Sequence, residues 1–209
     1  QVGLDTFIDP RRLGGRMNEC TTHDIVRVVE FDGQEWLYFK AIPIDVSIIR
    51  GTTADETGNI SMEHEGAYLG AYDVALAARN NRGLVIAQVK RLTAAGSLPP
   101  QSVRVPGVLV DYVVVAPDQW QTTQTPYDPA ISGETRRPLS NFAPVEFNTD
   151  KVIARRAALT LHTDQVVNLG FGISALVPEI LLEEKLHGQV TWVIEQGAVG
   201  GLPLTGFQF

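Results

Sequence analysis

The stretch Gln165-Val166-Val167-Asn168-Leu169-Gly170-Phe171-Gly172-Ile173-Ser174 decides the fold. Gln165 to Leu169 reads as a short strand, and Gly170-Phe171-Gly172 as a turn. Ser174 then caps a helix that runs to Leu186, with Leu176, Ile180 and Leu181 at helical spacing. Upstream, Asp150 to Leu161 has the pattern of a helix N-capped by Asp150 or Thr149. Downstream, Gln189 to Ile194 reads as a second strand. Helix and strand alternate with glycine turns between them. That order predicts an α/β fold with parallel strands in a doubly wound sheet.

The second strand leads into Trp192-Val193-Ile194-Glu195-Gln196-Gly197-Ala198-Val199-Gly200-Gly201-Leu202-Pro203. A carboxylate thus ends a buried strand and meets a glycine-rich turn. Open α/β sheets place reacting groups at such strand ends. The competing reading is a glutamate that closes a strand and pairs with a surface cation. Gly170 and Gly172 admit two readings as well. They let a phosphate or pantetheine arm approach the backbone beside a helix N-terminus, or they simply make a tight strand-to-helix turn.

Further out, Gln1 to Asn18 reads as a loop. Asp24 to Glu30 and Glu35 to Phe39 form a hairpin around Asp32-Gly33. Asp45 to Gly51 reads as a buried strand, Thr52 to Asn59 as a polar turn and Glu65 to Asn80 as a helix. Leu84 to Val89 is a strand, Gly96 to Pro106 a loop, and Leu109 to Val115 a strand. Thr122 to Thr149 carries Pro126, Pro129, Pro138 and Pro144 with few periodic apolar residues. It reads as an extended linker.

The formal charge of −7 leaves no cation excess to meet phosphate backbones or anionic membranes. Arg136-Arg137 and Arg155-Arg156 read as solvated pairs. Cys20 is the single cysteine, so no disulfide framework or cysteine zinc cluster is expected, and a reducing cytoplasmic setting fits. His23, His64, His162 and His187 show no metal-ligand spacing. No apolar run approaches the roughly 20 residues of a membrane span. Asp55, Glu56 and Glu63 suggest a cation site, against which stands a turn held by Asp and Thr hydrogen bonds. His64 reads as a surface histidine, and Lys90-Arg91 as solvated or as an anion contact at a sheet edge.

Five segments together resemble family I coenzyme A transferases, in the acetate/propionate branch that acts on short-chain acyl-CoA and carboxylates. They are Gly3 to Arg11 with Gly14-Gly15; Arg50-Gly51-Thr52-Thr53-Ala54-Asp55 through Glu65; Tyr127 to Glu134; Ala154 to Ala158 with Asn168 to Ile173; and Glu195 to Pro203. The resemblance implies two related open α/β domains joined by a proline-rich linker, each incomplete in this chain. Residues 1–121 would be the later part of the first domain, 122–149 the linker, and 150–209 the first part of the second. The chain is then expected to be a fragment, without the family's glycine-rich N-terminal segment, its Pro-Gln-Gly segment or a glycine-rich stretch after Phe209.

The resemblance makes Glu195 the catalytic residue, which forms a glutamyl-CoA thioester in a ping-pong reaction. It assigns the coenzyme A contacts to Asn168, Gly170, Phe171, Gly172, Gly197, Gly200 and Gly201. Backbone amides of residues 170–172 and 197–201 are the expected oxyanion donors or points of close approach. The implied substrates are acyl-CoA and short carboxylic acids, in short-chain fatty acid or ketone-body metabolism. No metal and no bound redox cofactor are implied, nor a nucleic-acid or membrane partner, and the full-length protein would be a homo-oligomer. An acyl-CoA hydrolase and a non-catalytic coenzyme A-binding module on the same fold are the alternatives.

Overall fold

A computed structural model of the chain describes residues 11, 19–23, 26–194 and 197–203. Two compact units divide it, residues 1–44 and 45–209. In the first, β1 (Val26–Phe31) and β2 (Gln34–Phe39) form the expected antiparallel hairpin. Both turn residues have positive φ, 53° at Asp32 and 70° at Gly33, as a twisted two-residue hairpin turn requires. The loop expected over residues 1–18 lies outside the described residues apart from Arg11.

In the second unit the elements run β3 (Val46–Arg50), β4 (Thr53–Asp55), β5 (Ile60–Ser61), α1 (Ala71–Asn80), β6 (Leu84–Val89), β7 (Arg91–Thr93), β8 (Val103–Val105) and β9 (Tyr112–Val115). β3, β6 and β9 make a parallel sheet with β6 in the centre. α1 buries Ala75 and Ala78 and packs on β3 and β6. Beyond their carboxyl ends, β3 and β6 continue into a second sheet, ordered β7-β4-β5-β8, where β4 and β7 again run parallel. Gly51 sits at the first bend. A Cβ there would lie 2.2 Å from Ile60 Cγ2, so the close approach requires glycine.

Several expectations are corrected here. β3 is half-buried rather than buried: Ser47 and Ile49 face the core, while Val46 and Ile48 remain 50% and 74% exposed. The polar stretch after it is not a surface turn throughout, because Thr52, Thr53, Ala54 and Asp55 are buried and three of them form β4. Side-chain and ladder hydrogen bonds make that burial tolerable. α1 starts six residues later than its apolar spacing implies. Leu69 and Gly70 have left-handed backbones that no helix continues through. The loop 96–106 contains β8, and Leu109 belongs to a 3-10 turn before β9.

The C-terminal part holds α2 (Thr149–Ala158), β10 (Gln165–Leu169), α3 (Val177–Glu183) and β11 (Val190–Ile194). β10 and β11 are parallel, in register from Gln165↔Val190 to Leu169↔Ile194. Ala154, Ala158, Leu169, Val177, Ile180, Leu181, Val190 and Trp192 form one core. Two caps differ from expectation. α2 is capped by Asn148, whose Oδ1 accepts the Lys151 amide at 2.9 Å. Ser174 caps nothing: its hydroxyl donates to the Gly170 carbonyl at 3.0 Å, and residues 173–176 form a 3-10 turn ahead of the shorter α3. Such back-bonding of serine competes with an N-cap.

Candidate active site

The parallel pair β10 and β11 brings its two carboxyl ends side by side. Burial of Leu169, at the end of β10, and of Trp192, midway along β11, in the α2–α3 core anchors both strands. Gly170-Phe171-Gly172 leaves one strand, and the glycine-rich segment leaves the other. The predicted site residues Asn168, Gly170, Phe171, Gly172 and Gly197 therefore come to the same edge, where open α/β sheets bind ligands. Asn168 is exposed on β10, and Phe171 is 45% exposed beyond it. Glu195 and Gln196 lie outside the described residues. Their flanks are joined: the Gly197 amide donates to the Ile194 carbonyl at 2.9 Å, and the Ile194 amide to the Ala198 carbonyl at 3.1 Å.

Beyond Gly197 the chain turns back along β11. Val199 bridges Val193 antiparallel, and the Gly200 amide donates to the Trp192 carbonyl at 2.8 Å. Gly200 and Gly201 thus lie alongside β11 rather than beyond its end. The amides of Gly197 and Gly200 are both engaged by backbone carbonyls. Gly172, at φ 93° and ψ −147°, adopts a conformation almost reserved for glycine. Gly170 does not have a positive φ. At neither glycine would an added Cβ meet any atom within 4 Å, which is the open space a ligand needs.

A second polar cluster occupies the carboxyl ends of β3 and β6. Arg50 donates to Glu65 and to the carbonyls of Trp120 and Gln121 (3.0 and 2.7 Å). Arg91 donates to Thr53 Oγ1 at 2.8 Å and to Glu63 at 2.7 Å. Partial burial opposes ionisation of Glu63, but hydrogen bonds from Ser61, Thr53 and Arg91 outweigh it and hold the carboxyl below its ordinary value. Arg91 is therefore paired, not solvated. Lys90 lies 5.4 Å above the Tyr127 ring.

His64 is not a surface histidine. Its side chain is 22% exposed, its ring lies 4.5 Å from that of Tyr127, and its Nε2 is 3.7 Å from Glu134. The hydrogen bond to Glu134 is the largest of the influences that raise the Tyr127 phenol above its usual pKa. Single-sequence reading missed this cluster. Its one local signal was Gln88-Val89-Lys90-Arg91, where cations follow a strand at once.

Asp55 resolves the cation question in favour of the turn. Its carboxylate accepts from Thr57 N and Oγ1, Asn59 N and Nδ2, and Gly96 N. The Thr57 hydroxyl contributes most, and together these donors hold the carboxyl well below the usual range against the opposing effect of burial. Among the described residues, no three His, Cys, Asp or Glu side chains converge as metal ligands, and no helix is long and apolar enough to cross a membrane.

A family profile described as coenzyme A transferase matches residues 1–116. The chain is 46% identical over 206 residues to the caffeate CoA-transferase of Acetobacterium woodii, covering 97% of this chain and 39% of that protein. It is 40% identical over 209 residues to the acetate CoA-transferase YdiF of Escherichia coli K12, covering all of this chain and 39% of that protein. The crystal structure of the acyl-CoA transferase YdiF from E. coli O157:H7, described as a thioester complex with CoA, superposes with a TM-score of 0.72 at 41% identity. That match covers 96% of this chain and 40% of the other. The chain thus spans about two fifths of the length of these relatives.

Proposed function

The chain belongs to the coenzyme A transferase family, and from that premise we propose that the protein containing it transfers coenzyme A between a short-chain acyl-CoA and a free carboxylate. Glu195 is the nucleophile in this reading. Its carboxylate attacks the thioester carbonyl and expels the CoA thiolate, giving an acyl-glutamyl anhydride. The thiolate attacks the glutamyl carbonyl next. That step releases the carboxylic acid and leaves a glutamyl-CoA thioester, and an incoming acid reverses the sequence. A carboxylate is a weak nucleophile, so binding energy from remote parts of coenzyme A has to drive the covalent step.

The observation that carries the reading is the pairing of the carboxyl ends of β10 and β11, with one glycine turn directly after β10 and Glu195 followed by a second directly after β11 in sequence. It is supported by a relative, 41% identical, whose crystal structure is described as a thioester complex with CoA. Asn168, Gly170, Phe171, Gly172 and Gly197 line the coenzyme A path in this proposal. Gly200 and Gly201 act further back, by setting the course of the return segment. No metal or bound redox cofactor takes part. Residues 1–121 and 150–209 belong to two domains joined by 122–149, and the full-length protein works in the cytoplasm as a homo-oligomer, in short-chain fatty acid or ketone-body metabolism.

The test is mass spectrometry of the full-length protein incubated with acyl-CoA alone and trapped with borohydride or hydroxylamine. A modification on Glu195 is expected, with turnover that requires a carboxylate acceptor. Label on another residue of an active preparation refutes the assignment. Turnover without an acceptor indicates a hydrolase, and binding without turnover a coenzyme A-binding module.

A further inference from the structure

We infer that Arg137 is a latch across a hinge at Pro138, coupling two separately docked halves of the 122–149 segment. The first half is fastened to the β3–β6 edge. Gln121 is buried. Its Nε2 donates to the His64 carbonyl at 2.8 Å, its Oε1 accepts the Asp128 amide at 2.7 Å, and Arg50 holds its carbonyl. Tyr127 packs on His64, and the Thr135 amide still reaches back to the Pro129 carbonyl at 3.2 Å.

The second half is fastened to α2 and α3. Val145 donates its amide to Glu183 and accepts Lys151 Nζ at 2.6 Å. Leu139, Phe142 and Pro144 wall a cleft of about 280 Å³ against Leu182 and Glu183 of α3. Pro138 stands between the halves with no amide to donate, and the residues on both sides of the Arg137–Pro138 pair, 133–136 and 139–141, are exposed.

Arg137 touches both halves. Its guanidinium pairs with Asp128, and it also lies over the Phe142 ring, 5.7 Å from the centroid. A planar guanidinium can form an ion pair through its edge while its face stacks on an aromatic ring, which an ammonium does less well. Contact therefore passes from the β3–β6 edge through Asp128 and Arg137 to Phe142, in the half that Val145 ties to Glu183 of α3. Without Arg137, the halves remain docked and the peptide around Pro138 is free to turn.

The inference rests on the two-domain reading above, but its readout involves no coenzyme A chemistry. A failed thioester trap and a failed latch are thus separate results. The experiment is native-state proteinase K cleavage of the full-length protein, with amide exchange read at Asn141, whose amide donates to the Pro138 carbonyl at 3.0 Å. Arg137→Ala is expected to accelerate both about tenfold within residues 136–141, leaving 121–131 and 145–151 within about twofold. Arg137→Lys, the milder variant should Arg137→Ala fail to fold, gives an intermediate effect. Asp128→Asn keeps the Oδ1 that accepts the Ala130 amide at 2.8 Å and loses the charge that faces Arg137. It accelerates the same residues without adding to Arg137→Ala. The latch is overturned if the folded variants match the parent at 136–141, if acceleration spreads over 121–151, or if the two substitutions multiply.

Discussion

At residue 55, one carboxylate collects five donors, four from its own tight turn and one from the Gly96 amide of another loop. Its folded pKa lies below that of the unfolded chain, so the sign of the linkage follows. The stabilisation is complete above the unfolded value of about 3.9 and is lost as pH falls from there toward the depressed folded value. Asp55→Asn should destabilise the chain at neutral pH, because the new amide would set donors against Gly96 N and Asn59 Nδ2. It should also flatten the acid limb of stability below about pH 4. Urea midpoints measured from pH 3 to pH 7 check both. An unchanged acid limb would move that proton linkage elsewhere.

Gly170 and Gly172 separate cleanly at the same scale. Gly172→Ala forces a side chain into a glycine-only conformation and should cost about 1–3 kcal/mol. Gly170→Ala should be close to neutral for folding, with no neighbour within 4 Å and no positive φ. Chemical denaturation measures the difference. In the full-length protein both are expected to raise the Michaelis constant for acyl-CoA if the open space takes the ligand. Equal stability of the two variants would contradict the backbone argument.

Among the elements, α2 shows how local signals mislead by a residue or two. Asn148, Thr149 and Asp150 are all good caps by type. The chain uses Asn148 because its backbone is extended and its Oδ1 reaches the Lys151 amide. Asn148→Ala should cost about 1 kcal/mol by thermal or urea unfolding, more than Thr149→Ala or Asp150→Ala. The bend from β3 into β4 gives a sharper case. Gly51→Ala places a methyl 2.2 Å from Ile60 Cγ2 and should cost about 1–3 kcal/mol as overpacking. Tolerance of Gly51→Ala would show that β5 can withdraw.

For the molecule as a whole, one face of the β3-β6-β9 sheet carries apolar side chains that are exposed among the described residues. Val46, Ile48, Leu84, Tyr112 and Val114 share that face by register and are all substantially exposed. Parallel sheets normally bury both faces, and an open apolar face favours association. Ile48→Lys in this chain should cost under about 0.5 kcal/mol. It should also reduce self-association in analytical ultracentrifugation. A large loss of stability would mean that the face is covered.

The amino-acid sequence by itself determined the α/β alternation, the β1–β2 hairpin, β6, β10 and β11. In each of these, pattern and turn chemistry act within about a dozen residues. It also brought Gly170, Gly172 and Gly197 together as candidates, because glycines after strands mark the ends of a parallel pair. Only the tertiary structure decided the rest. The burial of Thr52 to Asp55, the pairing of Glu63 with Arg91 and the seat of His64 on Tyr127 draw on partners as far as 41, 28 and 63 positions away, respectively. Whether the amides of Gly197 and Gly200 remain available depends on how the segment after β11 folds back. Period and propensity describe a segment against water, whereas the cost of burying a polar group depends on the donors that the fold brings to it.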